Sequence, residues 1–276
     1  MGKRVARCLV AVVCAVCVAA LAGCAGSLGN NEDSGAQPSL PELRIGVDTL
    51  EPFFFVGDDG EYQGIDADIA REACERAGYT PVFVSIQWSE RDDELASGDI
   101  DCLWSAFAKN GREDNYLWTA SYVDSDLGIL VSSRTPSTSL DDFRGPGGLA
   151  VRANSVAEKR ALEIAASPDY PLEFVRSYES YSMAQTAFVK AYADGLVGHV
   201  SVLKHMMDEY PGQYRILDPC IETLHIAVAF EKDGPMREHD AIDDALASMK
   251  ADGTVASILE CYDFEDSGVQ EATSNE

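Results

Sequence analysis

The sequence predicts an α/β fold divided into two lobes, and three observations carry that expectation. Strand-like and helix-like runs alternate from residue 43 onward, the pattern of parallel β-α-β units. The alternation breaks off near residue 133 and restarts at 148. A last strand-like run and two helical ones then have no unit of their own, so the economical placement returns them to the first lobe. Two lobes joined by two crossing strands leave a cleft, with strand ends and helix N-termini turned toward it, where open sheets bind their ligands.

Taken in order, "LRIGV" (43–47) is strand-like and "GDDGEYQG" (57–64) is turn chemistry. Residues 66–77 predict a helix with Asp66 as N-cap and Gly78 as stop. "TPVFVSI" (80–86) is rich in β-formers, and Ser89 with Asp92 has a spacing close to a capping box for a short helix. "DIDCLWSAF" (99–107) is the next strand, and "LGILVSS" (127–133) leaves the first unit. "GLAVR" (148–152) opens the second set, followed by a helix whose N-terminus is fixed by the Ser155/Glu158 capping box. "PLEFV", a helix around 183–192, "GLVGHV", a further helix and "RILDP" complete it. "LHIAVAFEKDG" (224–234) and helices over 235–252 and 254–262 are the elements that return.

The two ends have a different character. Lys3, Arg4 and Arg7 precede an apolar run from Leu9 to Leu21, the layout of an export signal over residues 1–23. "LAGC" (21–24) resembles the lipobox of bacterial lipoproteins, which implies a diacylglycerol on Cys24 and cleavage before it. Residues 24–42 then form the lipidated cysteine and a Gly/Ser/Asn/Pro tether, and 265–276 a disordered tail. Loss of the signal removes three of the 21 basic residues and none of the 47 acidic ones, leaving an excess of 29 negative charges. Such a surface repels phosphate backbones and disfavours nucleic acid as a partner. Cys74, Cys102, Cys220 and Cys261 permit three full pairings and their spacing selects none; buried free thiols are the default. No His/Cys cluster or C-x-x-C in the mature chain points to a metal, and no cofactor is expected.

Six stretches in order give the chain a family likeness: "LRIGVDTLEPFFF", "GEYQGIDADIAREACERAGY", "ELASGDIDCLWSAF" running on to Arg112, "WTASYV", "TSLDDFRGPGGLAVRANSVAE" and "ADGTVASILECYDF". The sequence resembles the bacterial extracellular solute-binding proteins of family 3, the two-lobed receptors of amino-acid ABC importers. The resemblance implies a periplasmic-binding-protein-like (type II) fold with two crossover hinge strands, lobe 1 from 43–129 plus 222–264 and lobe 2 with the hinges over 130–221. Hinges are expected near 129–132 and 217–221.

The same resemblance bears on the site. "SAFAKNGRED" (105–114) sets Arg112 beside Glu113 and Asp114, which alone suggests a surface ion pair of about 0 to 1 kcal/mol. In relatives, an arginine seven residues beyond a binding serine grips the ligand's α-carboxylate, a role that falls here on Arg112 and Ser105. A guanidinium fork suits a carboxylate bidentately. Ser155 falls where the second lobe's helix N-terminus offers N–H groups to that carboxylate. Asp48 faces the ligand in relatives. Phe53, Trp88, Trp104 and Phe107 fall at or beside cleft-lining positions and are equally suited to the core. His199 stands where amino-acid receptors place an aspartate for the ligand ammonium, and Arg152 adds a cation. Together they suit a carboxylate without a free ammonium, or one whose amine is held by Asp48.

The function implied is a monomeric, lipid-anchored, extracytoplasmic receptor that passes a small carboxylate or amino acid to an ABC transporter permease by cleft closure, without catalysis. A ligand sensor for a signalling partner and a dehydratase-type enzyme on the same fold are the alternatives.

Overall fold

The computed structural model describes residues 39–143, 145–167 and 174–268. The signal peptide, Cys24 and almost all of the tether expected from the sequence lie outside the described residues. Among the described residues, no helix is long and apolar enough to cross a membrane.

The first lobe begins with β1 (Glu42–Val47), whose Leu43, Ile45 and Val47 are buried. A small hairpin, β2 (Phe55–Val56) with β3 (Tyr62–Gln63), leads into α1 (Ile65–Ala77). This helix starts on Gly64, not on Asp66. Asp66 is drawn inward because its carboxylate accepts hydrogen bonds from the Ala106 N–H and the Tyr122 hydroxyl, so it cannot also cap. Gly64 sits at φ 121° where an added Cβ would run into the Phe53 carbonyl. Gly78 ends the helix in the left-handed conformation, as expected.

After β4 (Thr80–Ser85), Ser89 lies inside a 3-10 turn (Trp88–Glu90) and α2 (Arg91–Ser97) begins beyond it. Ser89 therefore caps nothing. The strand expected over 99–107 is only β5 (Cys102–Leu103). β6 (Leu117–Trp118) follows, and then the long β7 (Val123–Ser132).

The second lobe holds β8 (Leu149–Arg152), α3 (Val156–Ala166), β9 (Val175–Tyr178), α4 (Tyr181–Val189), β10 (Gly195–His199), α5 (Val200–Glu209) and β11 (Tyr214–Ile216). The expected helix around 183–192 thus starts earlier, because Ser180 caps it by accepting the Met183 N–H. β12 (Glu222–Ile226) carries the chain back to β13 (Ala229–Phe230), α6 (Met236–Ala251) and α7 (Thr254–Cys261).

Two sheets result. The first runs β4-β1-β5-β13-β6, with β4, β1 and β5 parallel and β13 antiparallel to its neighbours. The second runs β11-β7-β10-β8-β9, and β12 pairs with β7 off that path. The two crossing strands pair antiparallel from Val123↔Ile226 to Leu127↔Glu222. Residues 129–132, expected as a hinge, are instead locked into the second sheet, where Ile129, Leu130 and Val131 pair with β10. The other expected hinge, 217–221, is the connection between β11 and β12.

Residues 265–268, the start of the expected tail, are bound to the crossing strand. Asp266 accepts the Asp124 N–H, Ser267 accepts the Asp126 N–H, and Glu265 pairs with Lys204. These side chains satisfy backbone donors that the β7–β12 ladder leaves over. Cys74 and Cys102 are buried thiols, as expected; Cys220 is half-buried and Cys261 exposed.

Gly64 and Gly60 form a test of this packing, since both have positive φ but only Gly64 faces backbone. Gly64→Ala is expected to cost on the order of 2–3 kcal/mol and Gly60→Ala about 1 kcal/mol. Urea unfolding of both variants checks the difference, and equal losses would contradict it.

Candidate functional site

A cleft of about 60 Å³ lies between the lobes, bounded by Trp88, Ser105, Phe107 and Arg112 from one side and Arg152, Ser155, Tyr181 and His199 from the other. Its first wall is the loop that β5 releases. Asp66 holds the Ala106 N–H at 2.5 Å while Ala106 takes φ 47°, which turns the chain out of the sheet. Phe107 then packs at 4.9 Å from both Trp88 and Trp118 and 5.4 Å from Tyr116. This aromatic cluster is the satellite core beneath the cleft.

Arg112 lies over that platform, 5.0 Å from the Phe107 ring. Its guanidinium donates to the Asn154 carbonyl at 2.8 Å, across the cleft, and to the Ala108 carbonyl at 3.4 Å. Glu113 turns away to accept the Gly111 N–H. Arg112 thus has no carboxylate partner among the described residues. Burial, and then the like charge of Arg91, pull its pKa down to about 10. A shielded cation with only carbonyl partners is a site for an anion.

Arg152, 8 % exposed, ends β8 and reaches back across the cleft to Asp48 at 2.5 Å. Its guanidinium stacks 4.6 Å from the Trp88 ring, and its Nε is buried with no hydrogen-bond partner among the described residues. Burial lowers its pKa to about 10 against the opposing pull of Asp48. Ser105 fixes the Asp48 backbone by donating its hydroxyl to the Asp48 carbonyl at 2.6 Å. Ser155 is the N-cap of α3 as the sequence predicts, accepting the Glu158 N–H at 3.1 Å and donating to the Arg152 carbonyl at 2.6 Å. Its hydroxyl is committed within its own lobe. The first-turn residues Val156 and Ala157 of α3 line the cleft, at the helix end whose N–H groups lack intrahelical partners.

His199 ends β10 with Nδ1 3.1 Å from the Ser125 hydroxyl and its ring 5.2 Å from Phe53. Burial, and then the charge of Arg152, lower its pKa to about 4, so it is neutral near pH 7. Two expected cleft residues are core instead. Trp104 is 0 % exposed beside Tyr122, and Phe53 is 0 % exposed between His199 and Phe264; neither bounds the cleft. Asp48 touches the site through Arg152.

Sequence reasoning missed Tyr181, whose buried hydroxyl has no partner among the described residues. It fits because position 198 is glycine: a Cβ there would come within 2.6 Å of the Tyr181 hydroxyl. A glycine inside a strand was the available signal for such a close approach.

Residues 43–265 match the bacterial extracellular solute-binding proteins, family 3. The chain belongs to this family. Among curated relatives, the glutamate-binding protein GluB of Corynebacterium glutamicum is 23 % identical over 230 residues, covering 77 % of this chain and 75 % of the relative. A solved ABC uptake transporter substrate-binding protein from Streptococcus pneumoniae, with bound histidine, superposes with TM-score 0.73 at 23 % identity over 82 % of this chain and 93 % of that one. An ancestral amino-acid-binding protein, precursor of cyclohexadienyl dehydratase, gives 0.71 at 23 % identity over 80 % and 95 %. This family 3 protein therefore shares their two-lobed α/β fold.

Two buried groups give its stability opposite pH dependences. Burial raises the Asp66 pKa from 3.8 to about 7, against hydrogen bonds that lower it. The fold then favours the protonated acid, a contribution complete below 3.8 and lost as pH rises through about 7. For His199 the folded pKa is depressed from 6.5 to about 4, so its contribution is present above 6.5 and lost as pH falls through about 4. Where the windows overlap the two effects oppose each other. Asp66→Asn is expected to leave a stability that rises with pH in that range, and His199→Gln one that falls, each by roughly 3 kcal/mol. Denaturant unfolding at pH 4.5, 5.5, 6.5 and 7.5 checks this, and parallel profiles for both variants and the parent would refute it.

Proposed function

We infer that this family 3 protein is an extracytoplasmic receptor that captures a small carboxylate-bearing solute, an amino acid or an analogue of one, and delivers it to the permease of an ABC importer. The observation that carries the reading is Arg112: a shielded guanidinium at the cleft, with the N-terminus of α3 across from it. A ligand carboxylate placed between them gains charge-assisted hydrogen bonds from one lobe and backbone N–H groups from the other. Those two sets of contacts are complete only when the lobes meet, so binding favours the closed form that a permease reads. The glutamate, histidine and amino-acid ligands named for its relatives all carry the carboxylate that such a site would take. Cys24, within its lipobox-like tetrapeptide, anchors the receptor to the membrane.

Arg112→Ala is expected to weaken binding of the cognate acid by about 10- to 150-fold, the loss of a charge-assisted hydrogen bond, with the unliganded melting temperature little changed. Titration calorimetry on the acids that stabilise the parent protein checks it, and unchanged affinity would remove Arg112 from the site. Cys24→Ser is expected to move the protein from the membrane fraction to the soluble one, read by fractionating cells; retention on the membrane would refute the anchor.

A further inference from the structure

The cleft's charged groups are of one sign. Its boundary contains no Asp or Glu, and its charged residues are Arg112 and Arg152. The carboxylate of Asp48 is held by Arg152 at 2.5 Å from the opposite lobe, with Oδ1 accepting the Thr49 N–H at 2.8 Å. His199 is neutral, and its Nδ1 faces Ser125. The buried polar atoms left without partners among the described residues here are the Arg152 Nε–H, which can only donate, and the hydroxyl of Tyr181, a residue 9 % exposed, which can donate or accept. An ammonium brought into this space would find two guanidinium groups and no free anion.

We propose that Arg152, by neutralising Asp48 across the cleft, excludes ligands with a free α-ammonium, so that the receptor takes small α-hydroxy or α-oxo acids in place of the matching amino acids. This rests on the reading of Arg112 as the carboxylate site and adds what the other end of the ligand must be. A hydroxyl or keto oxygen accepts from the Arg152 Nε–H or the Tyr181 hydroxyl, whereas an ammonium cannot accept at all. Apolar walls from Leu50, Leu127, Val156 and Val197 suit a short carbon chain between the two ends.

The test is a thermal-shift and calorimetric comparison of matched pairs on the intact protein: pyruvate and lactate against alanine, 2-oxoglutarate and 2-hydroxyglutarate against glutamate, phenylpyruvate and phenyllactate against phenylalanine. At least one acid without an ammonium should raise the melting temperature, and its amino-acid partner should bind about tenfold or more weakly. Arg152→Gln frees Asp48 and should bring the partner amino acid to equal or tighter binding, whereas Arg152→Lys, which keeps the cation, should retain the original preference. The unliganded melting curves show whether either variant is folded, and the wild-type comparison decides the matter if one is not. An amino acid that binds wild type as well as its deaminated counterpart overturns the proposal; if Arg112→Ala abolishes that binding, the receptor reading survives it. If no acid of either kind binds, both fall.

Discussion

The carboxylate of Asp66 is where three parts of the molecule are tied together. It comes from the first turn of α1, takes the Ala106 N–H in the loop after β5, and takes the hydroxyl of Tyr122 beside the start of the crossing strand β7. The loop that carries Phe107 and Arg112 follows from that junction. Ala106 can hold its left-handed backbone conformation because a fixed acceptor waits for its N–H, and the turn then delivers Phe107 and Arg112 to the cleft. A buried carboxylate is costly unless its acceptors are satisfied, and here the two donors it meets are the loop N–H and the tyrosine that leads into the crossing strand. The loop at the cleft and the crossing strand therefore share one anchor.

Above that junction the charges are arranged against the trend of the whole chain. The sequence carries 47 acidic residues to 21 basic ones, yet Arg91, Arg112 and Arg152 converge on Trp88 and Phe107. The aromatic faces lessen the cost of holding like charges together, since each guanidinium gains a ring quadrupole on one side. Arg91 also has Asp92, and Arg152 has Asp48; Arg112 has carbonyls alone. The acidic exterior repels an approaching anion, so the positive field that draws it in must be local to the cleft.

Much of this was legible in the sequence, for identifiable reasons. The α/β alternation, the Gly78 stop, the Ser155 cap and the burial of Cys74 and Cys102 depend on local pattern, and the structure has them. Arg112, Ser105, Arg152 and His199 were placed by likeness to a family and do gather at one cleft. What failed were inferences in which tertiary partners override local propensity. Asp66 has the chemistry of an N-cap, but a buried loop and a tyrosine compete for its oxygens and win. Trp104 and Phe107 read alike in "LWSAF", and only the turn at Ala106 sends one to the core and the other to the cleft. Gly198 signals a close approach, but that Tyr181 makes it is set by how α4 packs on β10, which no local pattern shows.

The two cross-cleft contacts also bear on how an empty receptor behaves. Arg112 of the first lobe donates to Asn154 of the second, and Arg152 of the second pairs with Asp48 of the first. Each lobe thus supplies a cation and an acceptor for the other, so closing the cleft strands no charge. A ligand-free molecule can close on these contacts, and a ligand shifts the balance only by what it adds in the closed state over the open one. Arg152 already has its carboxylate, so a second anion there competes with Asp48. Arg112 has only neutral carbonyls, so a carboxylate there gains a full ion pair in a shielded site. In the receptor proposed above, the free energy that separates a bound molecule from an empty closed one would therefore be concentrated on Arg112, while Arg152 would act mainly on which ligands are admitted.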